Sequence, residues 1–375
     1  MLLSSYLAAC LLVAAPRDAW ARASLTSLFD QVLEFGGELD NSPQFRSQLE
    51  RLIFNLERNA VRTADFVATA ASPGFAYEYD LESGVFRRTD AARGPVYVEP
   101  VNTVGEGKID VRFAYLYSDF SELDGESLDD ALDFRARRGA DILDVRSSLG
   151  LRTQVFSMSG TYGITSRWDV NLLVPVLLTA LHLNGAGTLK ISGADDVPNA
   201  FFADASRLGV GDILVRTKYR LPSRWGFDFA SALTLRVPSG NPDNFQGLGA
   251  VTLTPLFVVQ RAIGPHSVEA NLGVEADATN VGQSRARYAI GACIRLYGPV
   301  TLLAHVIGNS GFEDDHFSED GVSGVVGRTD IVDAVTGVEV AITDAVVAHV
   351  GVIVPLTDDG LRADVVPAAG LGVRF

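Results

Sequence analysis

Asp212-Ile-Leu-Val-Arg-Thr-Lys-Tyr-Arg220 is the stretch on which the fold turns. Asp212, Arg216, Lys218 and Arg220 share one parity, while Ile213, Val215, Thr217 and Tyr219 take the other. A period of two belongs to a strand with two unlike faces. Here one face carries full charges and the other is apolar enough for hydrocarbon. Because Arg or Lys on the lipid side of a barrel costs ~2–4 kcal/mol at the bilayer midplane, the charged parity is expected to face a lumen and the apolar parity lipid.

The same dyad recurs on either side of this stretch. Ile109, Val111, Phe113, Tyr115 and Tyr117 alternate with Asp110, Arg112, Ala114, Leu116 and Ser118. Further strands are expected near 152–165, 168–181, 210–221, 226–237, 248–261, 266–278, 285–297, 299–309, 329–342, 345–356 and 361–375. About twelve strands, an even number, predict an all-β chain folded as an antiparallel transmembrane β-barrel. Connections alternate in length. Short turns at Ser166-Arg167, Pro222-Ser-Arg224, Ile263-Gly-Pro265, Gly298-Pro299 and Thr343-Asp344 are interleaved with longer polar stretches near 119–151, 182–209, 238–247, 279–284, 310–328 and 357–360. This is the asymmetry between periplasmic turns and extracellular loops. Tyr162, Trp168, Tyr219, Trp225 and Tyr297 lie near the short turns and suit an interfacial girdle. The last strand alternates Val365, Pro367, Ala369, Leu371, Val373 and Phe375 with smaller or charged residues. A terminal strand ending in Phe looks like the signal by which outer-membrane barrels are recognised for assembly, so the expected partners are the assembly machinery, the outer-membrane bilayer and a small solute.

Carried along the chain, parity gives an inward set of Arg216, Lys218, Arg220, Asp228, Arg236, Glu269, Glu275, Arg285, Arg287, Arg295, Asp333, Glu339 and His349, with Cys293 among them. Their charges come in blocks by strand. Such blocks either form cross-strand ion pairs that hold the lumen together or set up a transverse field that selects a polar solute. His305 shares this parity with His349, but the two sit on different strands without helical pairing, so both read as interior histidines. No metal, cofactor or catalytic residue is assigned. Glu122, Asp124, Glu126, Asp129 and Asp130 read as a solvated charge run rather than a calcium site.

The N-terminus has a different character. Met1 to Ala15 is apolar and is followed by Ala19-Trp20-Ala21, which predicts a signal peptide over 1–21 and export to the outer membrane. Leu7-Ala8-Ala9-Cys10 offers a second, shorter reading as a lipoprotein box. Over 22–70 the period is helical: Leu25, Leu28, Phe29, Val32 and Leu33 form one face before Gly36-Gly37. Ser42 and Pro43 then open a second helix with Phe45, Leu49, Leu52, Ile53, Leu56 and Ala60 on one side. These helices fit a lumen plug, a periplasmic position or a membrane surface equally well. Residues 71–108 form a hairpin around Leu81-Glu-Ser-Gly84 and an extended lead-in, and 109–375 the barrel.

Composition agrees with an exported barrel. With 31 Lys and Arg against 46 Asp and Glu, the net charge of -15 argues against nucleic-acid binding, which needs a basic face. Mean hydropathy is nonetheless +0.18. Beyond the extreme N-terminus no apolar run approaches the ~20 residues of a spanning helix. An apolar belt assembled from alternate residues accounts for both facts.

Several motifs carry a family resemblance. Tyr162-Gly-Ile-Thr-Ser-Arg-Trp-Asp-Val170 with Val174-Pro175, Gly209-Val-Gly-Asp-Ile-Leu-Val-Arg-Thr-Lys-Tyr-Arg220, Leu235-Arg-Val-Pro-Ser-Gly240 and Gly247-Leu-Gly249 resemble the outer-membrane family associated with the MetA pathway of phenol degradation. Gly94-Pro95, Glu99, Gly105-Glu-Gly-Lys108 and Leu123-Asp-Gly-Glu-Ser-Leu128 look like an N-terminal extension found in barrels of that kind. The resemblance covers about 75–375 and implies a transporter whose substrate is mostly unassigned, with no catalytic residues to carry over. Gly163 is expected to ease a bend, and Gly209 and Gly211 to start a strand at the outer rim. A strand follows Gly209 and Gly211, so they are not a nucleotide-binding fingerprint.

Three functions fit these features. The first is a passive channel for small hydrophobic or aromatic solutes, which is not an enzyme. The second is a lipid-modifying barrel enzyme, suggested by His182-Leu-Asn184-Gly185 but lacking an evident nucleophilic Ser. The third is an adhesive barrel acting through loops 119–151 and 310–328.

Overall fold

A computed structural model describes residues 24–29, 52–54, 56–57, 60, 76–80, 85–89, 97–130, 133–138, 141–190, 196–319 and 322–375. The expectations for the signal peptide, Cys10, and the helical positions Val32, Leu33, Ser42, Pro43, Phe45 and Leu49 lie outside these residues, as does the hairpin turn 81–84.

Twelve antiparallel strands close into a barrel: β1 Ile109–Phe120, β2 Asp141–Thr165, β3 Trp168–Lys190, β4 Ile213–Arg220, β5 Asp228–Val237, β6 Thr252–Ile263, β7 His266–Asp277, β8 Arg285–Arg295, β9 Val300–Gly311, β10 Asp330–Ala341, β11 Val346–Pro355 and β12 Val366–Arg374. Neighbours in sequence pair in order. β12 closes on β1, with Ala368 opposite Leu116 and Arg374 opposite Asp110. A closed sheet leaves no spanning edge unpaired, which hydrocarbon requires. The parity read from 212–220 holds: Leu214, Arg216 and Lys218 are buried, while Val215 and Tyr219 are exposed. Phe113, Phe156, Met158, Leu172, Phe257, Leu272, Ile290 and Val350 extend the outward belt around the wall. Tyr162, Trp168, Tyr219, Trp225 and Tyr297 are all exposed at the end where the short turns lie.

Two expected loops are largely strand. β2 and β3 pair continuously from Thr165 opposite Trp168 to Ile142 opposite Lys190. Their 25 and 23 residues far exceed the ~9–11 that span a bilayer, so their outer halves stand beyond it. A further strand, Val197–Val210, pairs with the outer half of β3, and Phe134–Arg138 with that of β2. Ser147-Ser148 and Asn184-Gly185 have turn chemistry, but Leu149, Leu151, Leu181 and Leu183 keep the dyad and are buried. Within 310–328, Asp315–Glu319 pairs with Val322–Val326 as a hairpin. The lead-in hairpin pairs Ala76–Asp80 with Val85–Thr89 as expected.

At the N-terminus, Thr26–Phe29 is a single 3-10 turn and residues 52–54 are helical. Leu25, Phe29, Leu52, Leu56 and Ala60 are buried in the same apolar cluster as Leu149, Leu151, Leu177, Leu181, Leu183 and Phe245. The Leu25 N–H donates to Asn244 Oδ1 at 2.9 Å. Of the three positions open to this segment, these described residues take the lumen.

Candidate functional site

The lumen has two layers. In β2 and β3 the odd-numbered residues face inward. Ser157, Ser159, Thr161, Asp169 and Asn171 lie toward the short-turn end, and Leu149, Leu151, Val155, Leu177, Leu181 and Leu183 toward the outer end. The expected division, charge inside and apolar residues outside, is reversed in the outer layer, where the inward parity is largely apolar and Arg146, Arg152 and His182 face outward. The reason is the N-terminal segment, whose Leu25, Phe29, Leu52 and Leu56 need apolar partners.

A strap, residues 97–104, crosses the inner layer. Tyr97, Val98, Glu99, Val101, Asn102 and Val104 are each at most 2% exposed, so this chain lies within the protein interior. Pro100 restrains it, and polar groups of the wall meet its backbone. Lys218 Nζ donates to Glu99 Oε1 at 2.9 Å, to the Pro100 carbonyl at 3.0 Å and to the Asn102 carbonyl. Arg216 Nη1 donates to Glu99 Oε2, and its Nε to Thr234 Oγ1 at 2.9 Å. With its amide turned to satisfy both atoms, Asn271 donates to the Glu99 carbonyl at 3.0 Å and accepts from the Glu99 N–H at 2.7 Å. The Val104 N–H reaches Asp169 Oδ2 at 3.3 Å, and Thr103 Oγ1 donates to the Ser166 carbonyl at 2.9 Å. Glu99 and Lys218 are fully buried, so each depends on the other to offset its desolvation.

Most of the remaining inward candidates meet a partner in the wall, two pairs of them one another. Arg236 meets Asp212 at 3.5 Å, Arg287 meets Glu275 at 2.8 Å, and Arg220 meets Asp228 at 3.1 Å. Asp333 accepts from Arg362, which lies in the connection between β11 and β12. Arg285 donates to Asn309 and Thr329. Arg295 turns back to the Gly298 carbonyl at 3.3 Å and belongs to the turn more than to the mid-lumen. Glu339 stands opposite His349 in register. Glu269 accepts from Ser267.

The Gly-rich motifs come together in space. Asp212 sits at their centre: its carboxylate accepts from the Gly240 N–H at 3.1 Å and the Leu248 N–H at 2.8 Å, besides meeting Arg236. The loop between β5 and β6 thereby folds inward, with Phe245 fully buried. Gln246 Nε2 donates to the Arg207 carbonyl at 3.0 Å. Gly209 lies within the outer strand rather than at its start, and a Cβ there would fall 2.2 Å from Gln246 Oε1. Gly211 is the break between Val197–Val210 and β4, and its N–H donates to the Pro175 carbonyl at 2.9 Å. Gly163 likewise serves close approach rather than a bend. A Cβ there would lie 1.8 Å from the Gly105 carbonyl oxygen, where the strap leaves the lumen. Gly163→Ala is therefore expected to displace the strap exit and to cost about 1–3 kcal/mol, read as a lower unfolding midpoint together with a larger single-channel conductance.

A cavity of about 60 Å³ lies between Tyr97, Arg216, Arg236, Glu275, Arg287 and Ile307. That holds water but is smaller than the ~150 Å³ cavity known to take benzene. Below the strap a wider vestibule of about 470 Å³ opens among Lys108, Arg167, Arg220 and Arg374. Neither Tyr97 nor its role in the lumen was marked by any periodic pattern; the one available sign was Glu99 between Val98 and Pro100, flanked by Gly94-Pro95 and Gly105-Glu-Gly107. His182, the residue behind the enzyme alternative, is half-exposed on the outer wall, 3.3 Å from Asp204 and edge-on to Phe202.

No family model and no curated protein matches the chain. Among solved structures it is similar to the COG4313 outer membrane channel from Pseudomonas putida F1, at 11% identity, with 73% of this chain and 98% of that one covered and a TM-score of 0.49. It is similar to the toluene transporter TbuX from Ralstonia pickettii at 10% identity, covering 72% and 90% of the two chains with a TM-score of 0.36. The translocator domain of the autotransporter NalP from Neisseria meningitidis is also similar, at 10% identity over 72% and 89%, with a TM-score of 0.34.

Proposed function

We propose that this protein is a passive outer-membrane channel for small hydrophobic or aromatic solutes, closed at rest by its own N-terminal segment and strap. The carrying observation is the apolar outer lumen of Leu149, Leu151, Leu177, Leu181 and Leu183. A water-filled pore for polar solutes has a polar interior. The resemblance of the Gly-rich motifs to the phenol-degradation family supports the same reading. So does the pairing of the inward charges: with Arg236, Arg287 and Arg362 engaged by carboxylates, the lumen wall is braced, and solute selection falls to the apolar layer and the strap. The terminal Phe375 exchanges backbone hydrogen bonds with Ile109 at 3.1 and 2.8 Å and leaves its ring 74% exposed. That suits capture of the last strand during assembly.

The test is flux in reconstituted vesicles. Uptake of a monoaromatic hydrocarbon is expected to exceed that of a sugar of similar size, and deletion of residues 22–70 is expected to raise both rates. Equal uptake of the two solutes by the full chain would refute an apolar pathway. No flux from either form would refute a channel.

A further inference from the structure

Three inward residues on adjacent strands converge below the strap: Glu269 on β7, Cys293 on β8 and His305 on β9. Their ligand atoms all lie within 4.8 Å of one another, and all three side chains are buried. The register explains the meeting. Glu269 and His305 both stand opposite Gly291, and Cys293 is one dyad along the strand between them. Gly291 makes room, since a Cβ there would sit 1.8 Å from His305 Cδ2, so the imidazole lies across the glycine toward β7.

The polar atoms of this group are poorly served by the protein itself. His305 is 3% exposed, and neither ring nitrogen has a hydrogen-bond partner among the described residues. Glu269 is 1% exposed; Oε1 accepts from Ser267, while Oε2 has no partner among the described residues. Cys293 is a free, buried thiol. Buried polar groups are rarely left so, and an imidazole with both nitrogens orphaned is the least expected of them. Structural packing gives no reason to gather a carboxylate, a thiol and an imidazole.

We propose that Glu269, Cys293 and His305 bind a divalent transition-metal ion of the zinc class in the lumen wall. Thiolate and imidazole select such ions over magnesium or calcium, which prefer oxygen. Three protein ligands leave a fourth position open. Bonds of about 2.0–2.3 Å require ligand atoms roughly 3.3–3.8 Å apart, so the side chains close by about an ångström, within reach of small χ rotations. Tyr97 of the strap lies near the site, its ring centroid 6.3 Å from that of His305 and its plane tilted by 58°. A bound ion would therefore join three strands directly beneath the segment that closes the lumen. This inference does not depend on the transport reading.

The experiment is titration of detergent-solubilised, chelator-treated full-length protein with cobalt(II). One equivalent is expected to bind, with a thiolate charge-transfer band and the visible bands of tetrahedral cobalt, both displaced by zinc(II). Cys293→Ser is expected to abolish the charge-transfer band. His305→Ala and Gly291→Ala are each expected to weaken binding by at least about tenfold, the latter with all three ligands present but the ring displaced. His182→Ala, on the outer wall, is expected to leave the spectrum unchanged. Folding of each variant is checked by heat-modifiable migration on gels. Absence of the charge-transfer band in the wild type, or its persistence in Cys293→Ser, would overturn the proposal.

Discussion

Glu99→Ala is expected to destabilise the folded barrel by about 3–5 kcal/mol, because it strips the counter-charge from Arg216 and Lys218 while both remain buried. It is the substitution with the largest expected effect. Guanidinium unfolding in lipid vesicles, followed by tryptophan fluorescence, measures it. The same change frees the strap at its centre, so single-channel conductance is expected to rise even where the barrel persists. A double variant with Lys218→Ala separates the contributions. Removing both groups leaves only Arg216 without its Glu99 contact, and the combined loss is expected to be smaller than the sum of the two single losses. A loss of less than 1 kcal/mol in Glu99→Ala, with unchanged conductance, would mean that the strap is held by its apolar residues and backbone contacts alone.

Leu272→Arg is the second. Leu272 lies midway along β7, points outward and is 64% exposed, which in water would make it a tolerant position. In a bilayer the opposite holds: a cation on the lipid face at the midplane costs about 2–4 kcal/mol. The same replacement by Arg at Phe202, equally exposed but opposite Asn184 on the outer half of β3 and so beyond the membrane, is expected to be nearly neutral. Similar losses at the two positions, measured in vesicles, would contradict a belt buried in lipid around β7.

The contrast between these two sites shows where the sequence is readable. Lipid acts on each strand separately and at every alternate residue. The parity of Ile213, Val215 and Tyr219 against Arg216 and Lys218 could therefore be read from nine residues without knowing the neighbours. Strand number followed in the same way, because each strand must repeat the pattern. Beyond the bilayer that constraint lapses. Ser147-Ser148 and Asn184-Gly185 look like turns, and only the partnership of β2 with β3 makes them strand.

The lumen was legible in composition but not in pairing. Arg236 lies on β5 and Asp212 immediately before β4, and the β4–β5 register brings them together. Arg362 and Asp333 lie farther apart, and nothing local links them. Glu99 is more distant still from Lys218, 119 positions away in sequence. The Gly-rich motifs were conspicuous for turn chemistry, yet their use is close approach: Gly163 to Gly105, Gly209 to Gln246, and Gly291 to His305. A glycine's sequence neighbours do not reveal which distant atom occupies the space of its missing side chain.

By itself, then, the sequence determined an outward apolar belt, an inward charged parity, a closed barrel of about twelve strands and helical periodicity before it. These follow from short-range alternation imposed by lipid. Only the tertiary structure decided that Leu25, Phe29, Leu52, Leu56 and Ala60 pack inside the lumen, that Glu99 locks a strap to β4, and that three unlike side chains meet beside Gly291. Those features arise from chain closure, which brings residues remote in sequence within a few ångströms and makes the burial of each charge depend on a partner that no local pattern identifies.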